Sequence, residues 1–197
     1  MTARRSPRFL LASGSPRRRE LLTEAGYEFD VILPTVSEVS DRWLTIREVT
    51  VCNAMRKAVE VARTRPEAVV LGADTLVTLD GRMIGKPANH SEASSILRRL
   101  SGRVHEVWTS VYVCQLATRR AHHFQEVSHV RFRELDDNSI ANYFTKVDPL
   151  DKAGAYAAQG YGTEIIERIE GSYTNVVGLP MEETARVLRA FGVKAVE

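Results

Sequence analysis

The strongest constraint on this chain is the run Ala68–Leu79, AVVLGADTLVTL, its most apolar stretch, with a carboxylate set inside it. The β-branched content favours a buried strand over a helix. A buried strand needs cover on both faces, and helix-like segments stand before and after it. Asp74 cannot stay ionised in such a place without a partner, because an unpaired buried carboxylate costs several kcal/mol or becomes neutral. Either it meets a cation, a metal or hydrogen-bond donors, or it lies at an exposed strand end. A free Asp, with a pKa of about 3.9, is a weak base at neutral pH. A divalent cation that lowers the pKa of bound water would offset that weakness.

The rest of the chain reads as alternating strands and helices, hence α/β. Residues 8–13 predict a short buried strand. Gly14-Ser15-Pro16 then starts a helix, with Ser15 as cap, Pro16 at the first position and Gly26 past its end. Residues 29–34 predict a strand and 46–64 a long helix. Asp80-Gly81 predicts a tight turn leading to Met83-Ile84. Ser91 is the expected cap of a helix over 92–100. Strands are expected at 104–117 and 121–133, joined near Arg119-Arg120, and a helix at 137–146. Residues 164–170 and 173–178 are expected to pair as strands around Gly171, and 181–191 to form the last helix. Trp108 and Tyr112, at strand spacing, read as core. His122-His123 read as an exposed hairpin feature.

Composition narrows the function. At 197 residues with 44% hydrophobic and 26% charged side chains, the chain suits one large domain or two small lobes, and not a disordered or coiled-coil protein. No apolar run approaches the roughly 20 residues that a spanning helix requires, so no membrane role is expected. Cys52 and Cys114 make neither a disulfide framework nor a zinc pattern, which favours a reducing, cytoplasmic setting. The net charge of +2 hides an asymmetry. Residues 1–19 hold six arginines and no acid, while the rest holds 21 basic and 25 acidic side chains. The basic N-terminus suits a transit peptide, a nucleic-acid arm or an anion site within the fold. The acidic remainder disfavours a broad DNA-binding face.

Four segments carry chemistry. Ser13-Gly14-Ser15-Pro16-Arg17-Arg18-Arg19 puts hydroxyls, helix-start N–H groups and guanidiniums where an anion binds, although a solvated basic turn has the same composition. Adjacent helical positions point about 100° apart, so the three arginines cannot all face one ligand. Asp74 with Thr75 is the second segment. Gly85-Lys86-Pro87 resembles the end of a P-loop but fails the pattern, leaving Lys86 as a phosphate contact or a surface lysine. In Asp151–Gly162, DKAGAYAAQGYG, glycines let backbone approach a ligand, and Gln159 can read a base edge; a flexible loop is the plainer reading. The five histidines show no metal spacing, and no G-x-S-x-G elbow supports a serine hydrolase.

Taken together, LASGSPRRRELL at 11–22, GADTLV at 72–77, GKP at 85–87, RRLSGR at 98–103, and DKAGAYAAQGYG with IEGSYTNVVGLP at 151–180 resemble the Maf family of nucleotide pyrophosphatases. They occur in family order over nearly the whole chain. The resemblance implies a single Maf/ITPase-like α/β domain over 1–197: a mixed twisted sheet flanked by helices, with two lobes around a deep nucleotide-binding cleft. It implies Mg²⁺- or Mn²⁺-dependent hydrolysis of a nucleoside triphosphate to the monophosphate and pyrophosphate, a housecleaning reaction. By motif, Asp74 falls at the catalytic carboxylate. Ser13, Arg17, Arg18, Lys57, Lys86 and Lys152 fall at polar or basic substrate-binding positions, and Glu38 at an acidic position that makes it a metal-ligand candidate beside Asp74. Arg17, Thr75 and Gln159 match the branch acting on dTTP and UTP, not the branch with an aromatic, Gln and Glu there, which prefers 7-methyl-GTP. A homodimer is common in proteins similar to this family, and the acidic remainder of the chain leaves no nucleic-acid partner expected. It places 11–22 at the site, so only residues 1–7 are left as a flexible tail. A non-catalytic nucleotide or nucleic-acid binder that regulates cell division and septum formation is the alternative. A phosphatase is a third reading, separated from a pyrophosphatase by its product.

Overall fold

A computed structural model describes residues 7–41 and 43–196. Of the tail expected at 1–7, all but Pro7 lies outside the described residues. The elements in order are β1 (Phe9–Ala12), α1 (Pro16–Glu24), β2 (Asp30–Val31), α2 (Ile46–Thr64), β3 (Val69–Leu79), β4 (Arg82–Ile84), α3 (His90–Leu100), β5 (Val104–Gln115), β6 (Arg120–Phe132), α4 (Asp137–Phe144), β7 (Ile166–Glu170), α5 (Tyr173–Val177) and α6 (Met181–Ala190). Seven strands form one sheet in the order β2-β1-β3-β5-β6-β7, with β4 paired to β3. β1 runs parallel to β2 and β3, while the β3–β4 and β6–β7 pairs are antiparallel. The sheet is therefore mixed and the class α/β, as expected. Among the described residues no helix is long and apolar enough to cross a membrane.

The chain divides into two compact units, and β3, β5 and β6 each contribute residues to both. The first holds the chain up to Asp74, Thr109–Gln125 and the stretch from Gly178 onward. Its core packs α2 on the sheet through Ala58, Val61 and Ala62 against Leu10, Val70 and Cys114, with Tyr112 beside them. A capping box fixes the start of α2: Thr45 accepts from the Glu48 N–H, and Glu48 accepts from the Thr45 N–H. Gly72 lets helix and strand come close. A Cβ there would lie 2.4 Å from the Ala54 carbonyl oxygen and 2.7 Å from the Ala58 nitrogen. Side chains alternate along a strand, so Asp74 shares that face.

The second unit holds Thr75–Trp108 and Glu126–Val177. Asp80 and Gly81, both at positive φ (52° and 73°), make the expected tight turn into β4. Amphipathic α3 buries Ala93, Ile96, Leu97 and Leu100. Three expectations fail, two of them in this unit and one in the first. The cap of α3 is Asn89, which accepts from the Glu92 N–H, and not Ser91. Residues 29–34 form only the two-residue β2. Residues 173–177 form helix α5, not a strand. Gly171 turns the chain at φ 105°, the Ser172 hydroxyl accepts from the Asn175 N–H, and the Asn175 amide donates to the Val107 carbonyl and Ser128. Local capping there overrides the β-branched composition. Trp108 is half-buried and its indole donates to Glu106. His122 and His123 are exposed on β6, as expected.

Candidate active site

The first unit gathers Ser13, Arg18, Glu38, Lys57 and Asp74. Asp74 is 5% exposed. Its Oδ1 accepts from Lys57 Nζ at 2.7 Å and its Oδ2 from Asn53 Nδ2 at 3.1 Å. Asn53 and Lys57 stand four apart on α2 and so lie on one face of the helix. The close approach at Gly72 lets that face reach β3. Lys57 Nζ also donates to Glu38 Oε1 at 2.6 Å, so one ammonium joins a buried carboxylate to an exposed one. Lys57 is thus part of the cluster and not on a solvated helix face.

Glu38 lies on the segment between β2 and α2, and α2 holds that segment at two points. Asn53 Oδ1 accepts from the Val39 N–H at 2.7 Å, and its Nδ2 donates to the Val39 carbonyl at 3.2 Å. Further along, Glu60 accepts from the Thr35 N–H and hydroxyl and from the Val36 N–H. Those bonds hold the Glu60 carboxyl below its ordinary pKa, the Thr35 hydroxyl chief among them. Asn53 therefore fixes both Asp74 and the neighbour of Glu38. Sequence reasoning missed it. The available signal was a second polar residue on the face of α2 that carries Ala54, Ala58 and Val61.

The arginines divide as helical spacing requires. Arg19 is exposed, Arg17 half-buried and Arg18 buried. Arg18 Nη1 donates to the Ala73 carbonyl at 2.9 Å and to Ser13 Oγ at 3.1 Å, and its Nε donates to the Gly178 carbonyl at 2.9 Å. Ser13 Oγ also accepts from the Ser15 N–H. Arg18 thus ties the start of α1 to the residue before Asp74. Burial pulls its guanidinium below the ordinary value, and the Asp74 charge opposes that shift.

The second unit carries Thr75, Lys86, Lys152 and Gln159. Lys86 is exposed just after β4. Lys152 Nζ donates to the Asp148 carbonyl at 2.7 Å and pairs with Asp151. The Gly154 N–H donates to the Gly85 carbonyl at 3.1 Å, which ties the two lysine-bearing segments together. Gln159 is half-buried and precedes a short 3₁₀ turn over Gly160–Glu164. The glycine-rich segment is held in place, not a loose loop.

Among the described residues no three His, Cys, Asp or Glu side chains stand together as a ready cation cage. Asp74 and Glu38 nevertheless converge on one positive charge, and their hard oxygens suit Mg²⁺ or Mn²⁺.

The Maf-like protein family matches residues 8–191. A protein of Pelotomaculum thermopropionicum named dTTP/UTP pyrophosphatase is 44% identical over 183 residues, covering 93% of this chain and 96% of that protein. A Bacillus cereus (strain ZK / E33L) protein of the same name is 41% identical over 186 residues, covering 94% of this chain and 96% of its own length. A Bacillus anthracis protein of that name is likewise 41% identical over 186 residues. With the matched motifs running through both the Asp74 cluster and the lysine-bearing segments, the chain belongs to the Maf-like protein family.

Proposed function

We propose that this chain is a nucleoside triphosphate pyrophosphatase that hydrolyses dTTP and UTP to the monophosphate and pyrophosphate. The observation that carries the reading is the buried Asp74 carboxylate, held by Lys57 and Asn53. Its proximity to Arg18 and the relatives' shared name support it. Water attacks the α-phosphorus, and Asp74 takes the proton released. Lys57 and Asn53 orient the carboxylate. Asp74 and Glu38 would hold a divalent cation, which when bound neutralises phosphate charge and makes water more acidic. Arg17 contacts the phosphates and stabilises charge on the pyrophosphate leaving group, while Lys86 and Lys152 bind the phosphates. Arg18 adds positive field beside Asp74, and Ser13 holds Arg18. Arg17, Thr75 and Gln159 select the pyrimidine nucleotide.

The test is a panel of dTTP, UTP, CTP and 7-methyl-GTP with Mg²⁺, with both pyrophosphate and orthophosphate measured. Pyrophosphate released preferentially from dTTP and UTP supports the reading. Orthophosphate as the first product, or a preference for 7-methyl-GTP, contradicts it.

A further inference from the structure

The second unit holds its glycine-rich segment at three points within four residues. The Gly154 N–H donates to the Gly85 carbonyl at 3.1 Å, Tyr156 Oη and His105 Nε2 are hydrogen-bonded at 2.8 Å, and the Ala157 N–H donates to Tyr143 Oη at 3.0 Å. Between these ties the backbone is strained. Gly154 has φ 76°, and Ala155, fully buried, has φ 62°, which a residue with a Cβ rarely adopts. Such a conformation persists where its surroundings over-determine it, and it clusters at functional sites.

The middle tie is the least explained by packing. His105 is 1% exposed and lies edge-to-face on Phe132 at 4.8 Å and on Tyr156 at 5.3 Å between ring centroids. Phe132 and Tyr156 meet at 4.9 Å. A leucine and a phenylalanine would fill this space with no polar atom to desolvate. His105 Nδ1 has no hydrogen-bond partner among the described residues, which makes the polar pair costlier to keep. Burial pushes the His105 pKa down to about 3, so the imidazole is neutral and the pair works as a fixed hydrogen bond, not as a proton relay.

We propose that His105 and Tyr156 are positioning residues that set where Lys152 and Gln159 stand, and thereby set nucleotide affinity. Lys152 is four residues before Tyr156 and Gln159 three after it, so the tie falls between the two. The inference rests on the dTTP/UTP reading.

Tyr156→Phe keeps the ring and deletes the hydroxyl. His105→Leu deletes the partner. His105→Gln keeps a polar group that reaches the tyrosine. Tyr156→Phe and His105→Leu are expected to raise KM for dTTP and UTP about five- to tenfold with kcat within about twofold, while His105→Gln restores most of the loss. Amide hydrogen exchange over 152–160 quickens in the two disabling variants and not in the rest of the second unit. A wild-type KM in Tyr156→Phe overturns the proposal. So does a parallel fall of kcat and folded fraction, or a His105→Gln variant no better than His105→Leu. A wild-type chain inactive on every nucleotide overturns the functional reading. In that case quickened exchange over 152–160 still upholds the tie, and unchanged exchange overturns it as well.

Discussion

The two units treat their charges in opposite ways. In the first, Asp74, Lys57 and Arg18 are buried, and each has a partner fixed on β3 or α2. In the second, Lys86 is exposed and Lys152 leans on the acid and carbonyl of its own segment. Buried charges in fixed geometry keep their orientation as charge develops in a reaction, which suits chemistry. A solvated lysine such as Lys86 costs little to hold and adapts to a flexible polyanion, which suits binding. The lesson is a division of labour: changes to the buried charges of the first unit strike turnover, and stability as well where a charge is left without its partner, whereas changes at the lysines of the second unit strike affinity.

The largest break in that contrast comes from Lys57→Met. It leaves Asp74 buried without its cation, and removing one partner of a buried pair costs about 3–5 kcal/mol. Chemical denaturation should register that loss, together with a collapse of turnover. Gly72→Ala probes how the cluster is built. The new Cβ meets backbone atoms of α2, so the helix must move, at about 1–3 kcal/mol, and Asn53 and Lys57 shift away from Asp74. Turnover should fall more than melting temperature predicts.

Acid adds a test in the second unit. The folded-state pKa of His105 is depressed to about 3, while the unfolded chain binds that proton near pH 6.5. Its contribution is thus in place above about pH 6.5 and is lost as pH falls from there toward 3. Between pH 7 and 5 the wild type should lose about 2 kcal/mol more than His105→Gln, measured by denaturation at each pH. The smallest structural effect belongs to Lys86→Ala. Its stability should change by no more than about 0.5 kcal/mol, while KM for the nucleotide rises and added salt narrows the gap from wild type. A large loss of stability there would erase the contrast between the units.

Part of this was legible from residues alone. A carboxylate within an apolar strand demands a partner, so Asp74 stood out. Ser15-Pro16 and Gly26 bounded α1 correctly because capping is local. Spacing showed that the three arginines must diverge, but not that Arg18 turns inward to two carbonyls, because those carbonyls lie far along the chain. Lys57 entered only through the family resemblance, and Asn53 not at all. A helical pattern marks a face without saying that a glycine on a strand will bring it into contact. His105 and Tyr156, 51 positions apart, left no local trace of their bond. The 173–177 segment reads as a strand because β-branched residues dominate it, whereas the Ser172 cap that makes it a helix is a single residue.

The central claim is that Asp74 does the chemistry while its neighbours hold it. Asp74→Asn keeps the size of the side chain and its bond to Asn53 or Lys57 through the remaining oxygen, but cannot take a proton from water. Steady-state pyrophosphate release from dTTP, alongside circular dichroism and nucleotide-binding measurements, is the direct test. We expect a folded, dTTP-binding protein with turnover down at least about 10³-fold, a rise of about 4 kcal/mol in the barrier. A folded Asp74→Asn protein that releases pyrophosphate near the wild-type rate would contradict the account.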